Sequence, residues 1–458
     1  MVQFLNVKYP HSFKVRSILF SYKCAYLLFF PLIILYFFKR SIKEPSYRLN
    51  LKERLGFSNS ALTNCIWLHA VSLGEFRASV PLIRELLKRS ETIIVTTITP
   101  AGREEAQTTF DLDIKAGRVD VVYLPLEYDL SFNKFLNRFK PRFAIILEYE
   151  LWPVMISSCI RHRVPLVLAQ GQYVEKSFSL DKKWPSFRGA LFRGFDLILA
   201  KSQLHSARYA SFCNAPIETM GELRFDQEIP KYQLENAKLF GKAMHFNTSG
   251  RLCFCFGSTG PGEDPLLISL MTRLTSSAKA KGIPKPFYVY VPRHKKDFSS
   301  IKKELDKSGL IFSERTAVFD KNLKFNILKD DINETTDGLF GDSLGEINFY
   351  FQMSDYIFIG NSFNDLGAHN VIEPLALKKS VVVGPSVWGI EYPIVEALDK
   401  GIIKKVENIE ELYEYWWSKI NNQKNAEDIE GSMQEFYRTH SGATKRCISS
   451  LKRYGYLK

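Results

Sequence analysis

Seven cysteines in 458 residues, odd in number and scattered, leave no paired spacing for a disulfide framework or a metal clip. Cys253 and Cys255 alternate with Leu252, Phe254 and Phe256 in what reads as a buried strand, so the thiols are expected to be reduced, as in a cytosolic compartment. No internal repeat or low-complexity tract is present, which leaves ordinary globular domains. Acidic residues are in deficit: 49 Asp and Glu against 62 Lys and Arg give a net charge of +13. Such a balance favours acidic partners, namely nucleic acid, anionic lipid headgroups or phosphorylated substrates. An aromatic-basic platform or groove-reading helix is missing, so nucleic acid is not an expected partner.

Long apolar runs are also scarce. Cys24 to Phe38 is unbroken, but its fifteen residues fall short of the roughly 20 that span a bilayer. Counting from Ser17 reaches that length if Lys23 snorkels to an interface. Basic flanks, Lys14 and Arg16 before it and Lys39, Arg40 and Lys43 after it, fit a single N-terminal membrane-anchor helix with the rest of the chain cytoplasmic, or a helix lying in the inner leaflet. A cleaved signal peptide is disfavoured, because Lys39 and Arg40 stand where small residues are needed.

At 458 residues the chain is too long for one core, and about 150 residues per domain suggests two or three domains. Short apolar runs, Ile66 to Val71, Thr92 to Thr97, Val119 to Leu124, Phe143 to Leu147, Val164 to Ala169 and Leu197 to Ala200, alternate with helix-spaced segments. Tyr232 to Phe246 is polar and helical, after which strands recur at Leu252 to Phe256, Phe287 to Val291, Leu310 to Ser313, Tyr356 to Gly360 and Ser380 to Val383. This alternation predicts α/β architecture: two doubly wound, Rossmann-like domains facing across a cleft, with ligands at the carboxyl ends of the strands. The expected divisions are 1–43 for the anchor and its basic flank, 44–236 for the first domain and 237–458 for the second.

Two glycine-broken turns, Gly341 to Glu346 and Gly367 to Pro374, bracket the apolar run Tyr356 to Gly360. A strand followed by a glycine turn and a helix start at Val371 has the layout of a nucleotide site, where backbone N–H groups attract phosphate and Glu373 accepts from ribose hydroxyls. The same residues also fit an ordinary capped strand-turn-helix. In the first half, Ser72-Leu73-Gly74-Glu75 and Glu148-Tyr149-Glu150-Leu151-Trp152-Pro153 place carboxylates where strands end. Glu75 there serves either as a general base toward a hydroxyl or as a charge complementing a helix start.

Five ordered segments together carry a resemblance: His69 to Glu75, Glu148 to Pro153, Gly221 to Asp226, Val291 to His294 and Gly341 to Glu346. They resemble the motifs of the Kdo (3-deoxy-D-manno-octulosonic acid) transferases of lipopolysaccharide synthesis, over nearly the whole chain. The resemblance implies a metal-independent, inverting glycosyltransferase of GT-B architecture at the cytoplasmic face of the inner membrane. It would move Kdo from CMP-Kdo to a hydroxyl of the lipid A precursor, lipid IVA, with the first domain taking the acceptor and the second the CMP-sugar. Position by position, it implies that Glu75 is the base, and that Glu148 and Arg224 stabilise the transition state. CMP would be held by Pro292, Arg293, Leu344, Gly345, Glu346, Asn370, Val371, Ile372 and Glu373.

The family pattern is not matched everywhere. Arg224 stands where lysine is usual, and Asn-Ala-Arg-Leu-Ser is here Gln170-Gly171-Gln172-Tyr173-Val174, which removes an arginine. Ser-Thr-His-Glu-Gly-Glu-Glu is Ser258-Thr259-Gly260-Pro261-Gly262-Glu263-Asp264, and Asn-Pro-Leu-Glu is Asn370-Val371-Ile372-Glu373. Alternative readings are another GT-B transferase with a different sugar nucleotide, such as a UDP-sugar, and a non-catalytic membrane-bound protein of the same fold.

Overall fold

A computed structural model describes residues 13–183, 187–244, 246–325, 332, 335–421 and 430–458; the first twelve residues of the expected anchor segment lie outside these. The chain divides into two units, one reaching Gln227 and resuming at His440, the other running from Glu228 to Thr439.

Unit 1 is built on seven strands: β1 (Ile66–His69), β2 (Ile93–Thr97), β3 (Val119–Tyr123), β4 (Phe143–Leu147), β5 (Leu166–Gly171), β6 (Leu197–Ala200) and β7 (Ile217–Thr219). Their order is β3-β2-β1-β4-β5-β6-β7, and every pairing is parallel. Strands β1, β2, β4, β5 and β6 are buried at every position, which is why they read in sequence as unbroken apolar runs. The helix Leu73–Lys88 behind β1 starts at Ser72, whose Oγ accepts from the Glu75 N–H. Burial of Phe76, Leu82, Ile83 and Leu86 against the sheet fixes its rotation, and hence the direction in which Glu75 leaves the first turn.

Unit 2 repeats the plan with β8 (Cys253–Thr259), β9 (Phe287–Pro292), β10 (Phe312–Glu314), β11 (Gly338–Phe340), β12 (Tyr356–Ile359), β13 (Ser380–Val383) and β14 (Ile403–Lys405). The order β10-β11-β9-β8-β12-β13-β14 is again all parallel. All seven cysteines are free. At the end of β12, a Cβ on Gly360 would lie 2.5 Å from the Ser258 carbonyl oxygen, so only glycine lets this strand end approach β8.

Two expectations need correction. The single anchor helix is two helices, Phe13–Leu28 and Phe30–Lys43, bent by 53° at Phe29. Pro31 in the first turn of the second helix has no N–H to continue the first helix's ladder. Among the described residues no single helix is long and apolar enough to cross a membrane, although the bent pair meets the length and composition together. Lys23, on whose snorkelling the longer span depended, pairs with Asp129 at 2.8 Å.

The second correction concerns the domain limits. The chain enters unit 2 at Glu228 rather than at 237, and its end belongs to unit 1 rather than to the second domain. Helix Ala443–Arg453 buries Ala443, Cys447, Ile448 and Leu451 in the unit 1 core, and Tyr456 packs on Phe143 with ring centroids 5.3 Å apart. Asp226 accepts from the backbone N–H groups of Gly442 at 2.5 Å and Thr444 at 2.6 Å. Arg446 Nε donates to the Met220 carbonyl at 2.7 Å, so the C-terminal helix braces the turn that carries Arg224.

Candidate active site

In a parallel sheet all strands end at one edge; the end of β5 and the segments after β1, β4, β6 and β7 bring Gln170, Glu75, Glu148, Lys201 and Arg224 to that edge of unit 1. The Glu75 carboxylate is held at both oxygens: Val71 N–H donates to Oε2 at 2.8 Å and Ser72 Oγ to Oε1 at 3.0 Å. Burial first, and then the neighbouring Glu148 charge, push its carboxyl up to about 7. Glu148 is in the opposite state. Burial would raise it, but Lys201 and Arg224 outweigh that and hold it below the usual carboxylate range. Glu150, two residues on, is pushed up to about 8 by burial and by Glu75. One turn of chain therefore carries an ionised and a protonated carboxyl near neutral pH, both beside a third poised between the two states.

Cations tie this cluster together. Lys201 Nζ lies 2.8 Å from Glu222 and 3.2 Å from Glu148, and donates to Gln172 Oε1 at 2.7 Å. Lys201 and Glu222 each keep only 2% of their side chain exposed. Arg224 reaches Glu148 and Glu222 at 3.3 Å each. Gln170 Nε2 donates to Glu222 at 2.6 Å and to Glu148 at 3.3 Å. Glu148 and Gln170 both have left-handed backbones, φ 59° and 58°, a conformation that costs non-glycine residues about 1–3 kcal/mol and that this network holds in place.

Glu75, Glu148 and Arg224, named from sequence, are thus brought together; Lys201, Glu222, Gln170, Gln172 and Glu150 were not singled out as functional. Glu222 and Glu150 lie inside quoted motifs, and the glutamines occupy the segment that departs from the family pattern. Lys201 follows directly on an apolar strand, the one local signal that a charge is delivered to the strand end.

All nine residues expected at the nucleotide lie in unit 2, on turns after β9, β11 and β12, and so at one edge of its sheet. Pro292 ends β9 and is buried, and Arg293 beyond it is exposed, with its N–H donating to the Thr259 carbonyl at 3.2 Å. On the turn after β11, Leu344 is exposed and Gly345 has φ 86°; Arg315 donates to Glu346 Oε1 at 2.6 Å and Ser343 hydrogen-bonds its other oxygen. Asn370 Oδ1 accepts from the Ile372 N–H at 3.0 Å, a turn that leads into the five-residue helix Ile372–Ala376. Val371 and Ile372 are buried in the core, which leaves their backbone, not their side chains, to meet a ligand; Glu373 is half-buried in the helix's first turn.

Glu263 anchors this edge by accepting from the N–H groups of Gly260, Asn361 and Phe363 at 3.0, 2.7 and 2.9 Å. His369 is pushed down to about 4 by burial and then by Arg293 and His294, so it is neutral and accepts from Asn361 Nδ2 at 2.5 Å. Among the described residues no set of three His, Cys, Asp or Glu is arranged to hold a metal ion.

The family model described as 3-deoxy-D-manno-octulosonic-acid transferase (kdotransferase) matches residues 49–227, the segment that carries the Glu75 cluster. The chain is 27% identical to a 3-deoxy-D-manno-octulosonic acid transferase of Bordetella pertussis, over 92% of this chain and 96% of that one. It is 28% identical to the Haemophilus influenzae protein of the same name, over 95% and 98%. In fold it is similar to a glycosyltransferase from Rickettsia africae, with a TM-score of 0.53 at 13% identity over 86% of this chain and 98% of that one. The family domain around the buried carboxylates, and relatives similar to this chain nearly end to end, support a Kdo transferase and indicate a glycosyltransferase.

Proposed function

We propose that the chain transfers Kdo from CMP-Kdo to a hydroxyl of the lipid A precursor with inversion, and that Glu75 is the general base. The observation that carries this reading is the Glu75 carboxyl, oriented by Val71 and Ser72 and poised near neutrality beside an ionised Glu148. A base works best when its pKa lies near the working pH. In the step, the acceptor oxygen bonds to the anomeric carbon, its proton passes to Glu75, and CMP leaves with the electron pair of the broken C–O bond. Ionised Glu148 favours the positive charge that develops on the sugar ring, and its own charge is kept in place by Lys201 and Arg224.

Unit 2 has the role of holding CMP. Arg293 would pair with the phosphate, where a guanidinium binds two oxygens at once, and the Gly345-Glu346 turn and residues 370–373 would take the nucleoside. The N-terminal helix pair presents Leu27, Leu28, Leu32, Leu35 and Ile42 to the outside, next to Lys39 and Arg40. That combination suits a helix pair lying in an anionic leaflet, at the cytoplasmic face of the inner membrane.

Glu75→Gln keeps the size of the side chain and removes its basicity, so transfer from CMP-Kdo to a tetraacylated lipid A precursor should fall about 10²- to 10⁴-fold by mass spectrometry of the product. Near-normal transfer would contradict the assignment of the base. CMP, and not UDP, should raise the melting temperature of the same protein; the reverse would replace the donor.

A further inference from the structure

Beside the N-terminal helices, unit 1 has an open cavity of about 410 Å³, a volume within the range of small-ligand sites. Its lining is almost wholly apolar, with Ile33 from the second helix and Ile98, Leu126 and Trp152 from the body of the unit. Two charged residues line it. Glu127 is occupied, since its oxygens accept from the N–H groups of Val154 at 2.8 Å and Met155 at 3.0 Å. Arg54 is not. It is 2% exposed, and its guanidinium lies 3.9 Å from the centre of the Tyr123 ring and 4.6 Å from that of Phe37. Nη2 donates to the Ile98 carbonyl at 2.8 Å, while Nε is buried with no hydrogen-bond partner. A buried donor left open in an apolar cavity is costly unless something supplies an oxygen.

The cavity adjoins the base. Ile98 and Leu126 lie just beyond the ends of β2 and β3, and Trp152 is four residues past Glu148, so the cavity lies at the sheet edge that carries Glu75. A hydrogen-bond chain joins the two: Arg54 donates to Ile98, the Ile98 N–H donates to the Val71 carbonyl at 3.2 Å, and the Val71 N–H donates to Glu75 Oε2 at 2.8 Å. We propose that this cavity takes one acyl chain of the lipid acceptor, with Arg54 Nε donating to the carbonyl oxygen at the head of that chain. The inference rests on reading the acceptor as a lipid. An apolar cavity with one free donor suits a fatty chain ending in a carbonyl, and seating that chain brings the sugar headgroup to the sheet edge where Glu75 stands. The outer rim, Leu32 and Phe29, is exposed and apolar, which gives a chain an uninterrupted path from a leaflet.

The test uses the full-length protein with two readouts. Fluorescence titration with cis-parinaric acid reads chain binding alone; transfer from CMP-Kdo to the tetraacylated precursor and to its fully deacylated form reads acceptor preference. The wild type should bind parinaric acid and prefer the acylated acceptor in KM. Ile33→Trp, which fills the cavity, and Arg54→Met, which removes the donor, should each cut both the affinity and the preference, the first by about tenfold. Absence of parinaric binding to the wild type, or an unchanged preference in both variants, would overturn the proposal. Transfer to neither acceptor by the wild type would remove the transferase reading, and parinaric binding would then decide the cavity by itself.

Discussion

The two sheet edges of this chain hold their polar groups in different ways. In unit 1 the charges are buried and satisfied by one another, with Glu148, Glu222, Lys201, Arg224 and Gln170 forming a closed network next to Glu75. In unit 2 the buried polar groups brace loops, as Glu263 does through three backbone N–H groups, and the cation Arg293 is left exposed. A closed network fixes protonation states in advance, which proton transfer requires. An open edge with an exposed guanidinium is suited to a charged ligand that arrives and leaves with each turnover.

That contrast breaks first, and most severely, at Lys201. Lys201→Met takes from buried Glu222 its 2.8 Å partner and leaves it Arg224 at 3.3 Å, so the loss should fall near the lower end of the roughly 3–5 kcal/mol for breaking a buried pair, measured by chemical unfolding. In the fraction that folds, Glu148 loses its main cation, its charge weakens, and Glu75 is pushed up less, so the acidic limb of the rate profile moves to lower pH. Substitutions at the unit 2 edge should behave otherwise. Arg293→Ala should leave the unfolding midpoint near that of the wild type, yet reduce or abolish the thermal shift given by CMP, with a rise in KM for the donor of about tenfold or more; Glu373→Ala should weaken the same shift. If Arg293→Ala destabilised the protein as Lys201→Met does, the distinction between a closed and an open edge would fail.

Much of the fold was legible because parallel strands buried on both faces cannot alternate, so β1, β4, β6, β12 and β13 stand out as apolar runs. Strands β7, β11 and β14, three residues each, are too short to give a period and were not read. The break at Phe29 had its signal in Pro31, which a count of apolar residues does not weigh. The return of the C-terminal helix to unit 1 had none: its apolar stripe shows that one face is buried, but no local pattern says against which core. At the site, Glu75, Glu148 and Arg224 were legible through their motifs. Lys201 and Gln170 became functional candidates only when β5 and β6 folded beside β4 and brought them within hydrogen-bond reach of Glu148.

The proposed transfer turns on one carboxyl, and the pH dependence of kcat/KM for transfer from CMP-Kdo tests it directly. As the proposed base, Glu75 would act only when deprotonated, and burial and Glu148 push it up to about 7, so the rate should be low at pH 5, rise through about pH 7 and level off above it. A rate that is flat from pH 5 to 8 would mean that no group poised near 7 governs the step, and would contradict Glu75 as the base.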